Sequence, residues 1–178
     1  FLFSILDVFQ KYGTIYHTVF QIMLFKYSFL FFLSISESIR KKNKNFWKTN
    51  NLKLQLLRSF LSLLESGFFI LSFKYLSLAS AHSIQAITPI LVIVMAFIIL
   101  KEKIDTKTWI AVTFGFIGVI IMFRPGFGIF NTASILPLAA ALAYSLVQIM
   151  TRKMGVNEKA STMAFYIQLN LVVISSLT

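Results

Sequence analysis

No cysteine occurs anywhere in the chain, which excludes disulfides and thiolate metal ligands. The two histidines, His17 and His82, lie far apart and no HExxH pattern exists, so neither a metal nor a cofactor is expected. Charge is scarce: 13% of the 178 residues are Asp, Glu, Lys or Arg, against 57% hydrophobic, and the mean hydropathy is +0.79. A water-facing globule of this size needs far more polar surface. Strict polar–apolar alternation is missing too. The apolar residues come in long blocks, which argues against tilted barrel strands and for membrane-crossing helices. Acidic residues number six against 17 basic ones, a net charge of +11. Nucleic acid is not the implied partner, because that needs a basic face on a folded soluble surface. An intramembrane enzyme would need a nucleophile–base pair or metal ligands at membrane depth, and neither His/Asp clusters nor cysteines are there.

The blocks are organised around residues 75–126. Two apolar runs, 77–100 and 108–123, are joined by the short charged elbow Lys101-Glu102-Lys103-Ile104-Asp105-Thr106-Lys107. Each is long enough, or nearly so, to cross a hydrocarbon core of about 30 Å, so the pair reads as a membrane hairpin. Before it stand the second half of a first helix (1–12), a second helix (19–36) and a third (54–73). The polar stretch 37–53 lies between the last two. After it, Pro125-Gly126-Phe127-Gly128 breaks the chain. A sixth helix (133–150) has Pro137 in its first turn, and a seventh (160–178) follows. The chain opens on Phe1 and stops inside an apolar run. It is therefore expected to be an internal fragment, with no signal peptide visible and none excluded.

Lysine and arginine set the expected orientation. The connections after the second, fourth and sixth helices hold 13 of the 17: seven from Arg40 to Arg58, then Lys101, Lys103 and Lys107, then Arg152, Lys153 and Lys159. The others hold roughly one each, Lys11, Lys74 and Arg124. Even-numbered connections are thus expected in the cytoplasm. A short ungapped match aligns Phe3-Ser4-Ile5-Leu6-Asp7-Val8-Phe9-Gln10-Lys11 with Tyr144-Ser145-Leu146-Val147-Gln148-Ile149-Met150-Thr151-Arg152. The two copies lie five helices apart and so enter from opposite sides, the pattern of inverted-repeat transporters.

Charges at membrane depth are the first candidates for chemistry. Asp7 and Lys11 are one helical turn apart and can meet on one face, as a gate or substrate contact or as a structural pair near the interface. Glu65 sits mid-helix between Ser62 and Ser66 with no cation within a turn. It must face an aqueous cavity, find a partner such as Lys26, or be protonated, and a carboxyl of that kind suits proton coupling. The alternative is a neutral acid bonded to a neighbouring helix. Pro89, after Gln85 and Thr88, removes one backbone bond and frees a carbonyl, to line a cavity or to make a packing kink. Gln85, Tyr144, Gln148, Tyr166 and Gln168 offer neutral hydrogen bonds to a polar solute, or packing. Ala111, Gly115 and Gly118 on one helix, and Ala139 and Ala143 on another, are expected to let helices approach closely. Trp109 and Glu102 belong to the interface, with Glu102 facing cytoplasmic water.

One family resemblance joins these features. Its pattern runs from Leu56-Leu57-Arg58 through Ala81, Ala86 and Pro89 to Leu100-Lys101-Glu102 and Trp109. Gly115-Phe116-Ile117-Gly118-Val119, Arg124-Pro125-Gly126, the small-residue run up to Tyr144, Arg152-Lys153 and Phe165-Tyr166 follow in order. The whole chain resembles the EamA family of the drug/metabolite transporter superfamily. Asp7-Val8, Lys11-Tyr12, His17 and Phe25-Lys26 are most similar to its bacterial S-adenosylmethionine uptake group. Two positions depart: Lys26 stands where that group usually has Arg, and Ser59 where Gly is common.

The resemblance implies an all-α, multi-pass membrane bundle of ten helices in two inverted five-helix repeats. Residues 1–126 would form the first repeat and 127–178 the opening of the second, about seven helices in all. It implies alternating-access transport of a small polar metabolite in the bacterial inner membrane, with S-adenosylmethionine, an amino acid or a related solute as cargo. Multidrug or metabolite efflux on the same fold, or a non-transporting sensor or assembly subunit, are the alternatives. Expected partners are the solute, the lipid bilayer and a coupling proton or exchanged solute, with homodimerisation left open.

Overall fold

The computed structural model describes residues 2–40, 47–123, 132–155 and 158–176, and among these every regular element is a helix. In order they are α1 (Leu2–Tyr16), α2 (Val19–Arg40), α3 (Leu52–Ser72), α4 (Leu78–Gln85), α5 (Thr88–Ile99), α6 (Thr106–Phe123), α7 (Ile135–Met154) and α8 (Ala160–Ser176). A 3₁₀ turn, Thr132–Ser134, leads into α7. Four stretches are long and apolar enough to cross a membrane: Val19–Arg40, Leu52–Ser72, Leu78–Ile99 and Thr132–Met154. Thr106–Ile121 and Ala160–Ser176 are shorter apolar helices. Arg124, the Pro125-Gly126-Phe127-Gly128 break and the cluster Lys41, Lys42 and Lys44 lie outside the described residues.

Several helices outrun their apolar blocks. α1 continues past Tyr12 to Tyr16, α2 past Ser36 to Arg40, and α7 past Met150 to Met154. Hydropathy marks where lipid ends, whereas the backbone ladder continues until something breaks it.

The seam along α3 is mainly polar inside and apolar outside. The buried face of α3 reads Gln55, Arg58, Ser59, Ser62, Ser66 and Ile70 at intervals of three and four, while Leu56, Leu57 and Phe60 are exposed. In water that pattern would be inverted. In lipid it is reasonable, since apolar side chains gain nothing by hiding from hydrocarbon and small hydroxyl residues let backbones approach. Ser59, 1% exposed, shows how: its hydroxyl donates to Gln55 O at 2.8 Å and accepts from Asn170 Nδ2 at 3.2 Å. Met23, Tyr27, Ile70 and Leu171 make the apolar cluster between α2, α3 and α8, while α7 packs along α3, α4 and α5.

The fourth expected helix is two helices. Pro89 has no N–H for Gln85 O, and its ring crowds that carbonyl, so the ladder breaks at Ala86 and Ile87. The freed Gln85 O accepts the Thr88 hydroxyl at 2.7 Å. In a Pro89→Ala protein the restored N–H competes for that carbonyl and α4 and α5 straighten. Because the chain has no cysteine, spin labels can be placed through Leu78→Cys and Ile99→Cys alone. Their separation is expected to lengthen toward the roughly 31 Å of a continuous helix, and an unchanged separation would show that packing alone sets the bend.

Expected helix contacts are met unevenly. On α7, Ala143 is buried and Ala139 half-buried, beside the fully buried Ala140 and Ala141. On α6, by contrast, Ala111, Gly115 and Gly118 are exposed, and the buried residues are Val112 and Val119. A Cβ on Gly115 would stand 3.6 Å from Ile90, whereas Gly118 has nothing within 4 Å. Positions 112 and 119 are one heptad apart, so that valine stripe, not the small-residue face, turns to the bundle.

Candidate functional site

The connections define two ends of the bundle. At one, Glu158 between α7 and α8 accepts from Thr49 Oγ1 at 2.7 Å and Asn50 N at 2.6 Å between α2 and α3. There too Arg152 Nη1 lies 2.9 Å from Glu102 Oε2, from the α5–α6 connection. This is the basic end, where three lysine- and arginine-rich connections meet. At the other end Lys11 donates to Leu76 O, in the α3–α4 connection, at 3.2 Å.

Between the ends lies a cavity of about 960 Å³, lined by α1, α2, α3, α4, α5 and α7. Asp7, Lys26, Glu65, Gln85, Pro89, Tyr144 and Gln148 all face it. At 1.5 Å per residue, Asp7, Lys26, Glu65 and Tyr144 lie about 10–13 Å inside the helix ends opposite the basic end. Residues from four helices thus share one level, away from the ends of the bundle. That volume accommodates a metabolite-sized solute.

The polar groups form two chains. In the first, His82 Nε2 lies 3.1 Å from Asp7 Oδ2, Gln10 Nε2 donates to Asp7 Oδ1 at 3.3 Å, and Lys26 Nζ reaches Gln10 Oε1 at 3.5 Å. Phe69 packs its ring edge-on to His82, centroids 5.3 Å apart. In the second, Ser66 Oγ donates to Glu65 Oε2 at 2.9 Å and shares a short hydrogen bond with the buried Tyr27 hydroxyl. Lys26 links the two, standing 5.4 Å from the Tyr27 ring centroid and acting electrostatically on Glu65 and Asp7.

Other expectations are redirected. The Asp7–Lys11 pair does not form: Asp7 turns to His82 and Gln10, Lys11 to Leu76 O, because tertiary partners are nearer than the next helical turn. Tyr166 lies off the cavity and donates to Trp47 O at 2.9 Å. Gln168 is also off it, its Oε1 buried without a partner among the described residues. Glu102 is paired with Arg152 rather than simply solvated. Sequence reading passed over His82, Gln10, Thr88 and Arg152, which line the same space or its ends. Spacing held part of the signal: His82 and Gln85 fall one turn apart on α4 with Pro89 just beyond the break, and Tyr144, Gln148 and Arg152 fall at i, i+4 and i+8 on one face of α7.

A family model described as the EamA-like transporter family matches residues 1–124. Among curated relatives, an S-adenosylmethionine uptake transporter of Rickettsia prowazekii is 28% identical over 92% of this chain and 55% of its own length. One from Rickettsia bellii is 27% identical over 95% and 58%. A riboflavin transporter of Vibrio cholerae is 28% identical over 68% of this chain and 41% of its own length. The chain therefore spans about half the length of the curated relatives it matches. No solved structure matches it. Apolar helices long enough to cross a membrane, a charged cavity between them and a family match over residues 1–124 agree that this multi-pass membrane chain belongs to the EamA-like transporter family.

Proposed function

We propose that the whole protein is a secondary transporter that moves a small polar metabolite across the bacterial inner membrane by alternating access. This chain would supply the first five-helix repeat, residues 1–126, and the opening of the second, residues 127–178. The observation that carries the reading is the cavity, whose charged level includes the His82–Asp7 contact, with the Glu102–Arg152 pair at the basic end. Opening one polar contact while the other stays closed would expose the same site to one side at a time. The short internal match supports the inverted arrangement. Its aligned positions Asp7 and Gln148 both line the cavity, while Lys11 and Arg152 lie toward opposite ends. Charge placement favours the basic end as cytoplasmic. The relatives' names make S-adenosylmethionine the first solute to try and riboflavin the second.

Proteoliposomes holding the whole protein are expected to accumulate labelled S-adenosylmethionine above protein-free vesicles, and to release it by exchange when unlabelled solute is added outside. Vesicles that neither accumulate nor exchange S-adenosylmethionine or riboflavin would refute the transport reading. A sensor or assembly role would then stand in its place.

A further inference from the structure

We propose that Lys26 and Glu65 form a two-pole subsite for a zwitterionic head group, with the solute's carboxylate on the Lys26 ammonium and its ammonium on the Glu65 carboxylate. The proposal rests on the transport reading and deepens it. An ammonium has three N–H donors. Lys26 Nζ has only one hydrogen bond among the described residues, 3.5 Å long, to the neutral Gln10 Oε1. Gln10 cannot improve it by turning, because its amide nitrogen is engaged with Asp7 Oδ1 and Leu6 O. A carboxylate has about four lone-pair sites. Glu65 accepts from Ser66 Oγ alone among the described residues, so it too has capacity to spare.

Both groups line one cavity and each acts electrostatically on the other. Asp7 is the weaker choice for the cationic pole, since one oxygen faces His82 and the other accepts from Gln10. Charge balance selects the solute. An amino-acid head group with opposite poles exchanges partners with Lys26 and Glu65 and adds no net charge at those two groups, whatever the rest of the solute carries. A simple anion or cation satisfies one group and strands the other. Val92, Ile93 and Ile149 line the same cavity and offer apolar wall to the rest of the solute.

The test uses the whole protein in proteoliposomes, with S-adenosylmethionine, its decarboxylated analogue and riboflavin as probes. Wild type is expected to take up S-adenosylmethionine at least about 10-fold faster than the analogue lacking the carboxylate. Lys26→Met should bring the two rates within about 3-fold, while Lys26→Arg preserves most of the discrimination. A purely structural lysine would lower both rates together and leave their ratio alone. Three results would overturn the subsite and leave transport standing: equal wild-type rates for the two analogues, discrimination that persists in Lys26→Met, or carriage of riboflavin with refusal of S-adenosylmethionine. Uptake of none of the three probes would refute the transport reading, and the subsite with it. If Lys26→Met fails to reach the membrane, equal wild-type rates still overturn the subsite, and a Lys26→Gln protein carries the test of the lysine.

Discussion

A Glu65→Gln protein is expected to stay folded and to lose about 10- to 100-fold of its solute uptake. The substitution keeps the side chain's length and an acceptor for Ser66 Oγ, 2.9 Å away, and removes only the charge. A carboxylate near mid-bilayer is unfavourable by about 2.5–3.5 kcal/mol on insertion scales, a cost that the substitution removes, while Lys26 loses a compensating charge, so the two effects on the fold oppose each other. A cationic group on the solute loses a charge-assisted bond worth roughly 1.5–3 kcal/mol. Uptake should therefore fall far more than stability. Paired measurements of thermal unfolding in detergent and uptake in vesicles check this. If uptake persists, the carboxyl is a structural acid and the solute is held elsewhere.

Arg58→Ala is expected to do the reverse and damage the fold first, lowering stability by about 3–5 kcal/mol. Arg58 is 3% exposed and ties three helices together. Its Nη1 donates to Thr151 Oγ1 at 3.2 Å, and its Nη2 to Gln55 Oε1 at 3.0 Å and, in a short bond, to Met163 O. Truncation leaves the wholly buried Gln55 and the Met163 carbonyl without that donor. Arg58→Lys should recover less than half of the loss, because a single ammonium cannot reproduce a planar fork aimed at partners on α3, α7 and α8. Thermal unfolding of the two variants in detergent measures it. A near-neutral Arg58→Ala would mean that water replaces the fork and that the end of the bundle is already wet.

Legibility followed the range of each interaction. The break at Pro89 could be read because proline acts on a carbonyl four residues back, and the cavity residues because charge at membrane depth needs a reason. Asp7, Lys26 and Glu65 were picked on that ground, and the fold brings them to one level. The Asp7–Lys11 pairing misled because helical adjacency names candidates, whereas the partner is chosen by whatever packs across. His82 looked solitary for the same reason, its aspartate being 75 positions earlier in the chain. Arg58 entered only as part of a family pattern, since its partners stand far downstream. On α6 small residues permit close approach without requiring it, and among the described residues Val112 and Val119 take the contact.

The Arg58 contacts also set a clock. Thr151 and Met163 follow Arg58 by 93 and 105 residues. At synthesis rates of about 5–20 residues per second, α3 waits roughly 5–20 s for those partners to be made. Throughout that interval a nascent chain holds a guanidinium with Gln55 as its only partner from this set, at the membrane end of a helix already laid down. Helices α1 to α6 are therefore a provisional assembly during translation, and the arrival of α7 and α8 is what locks α3 into place.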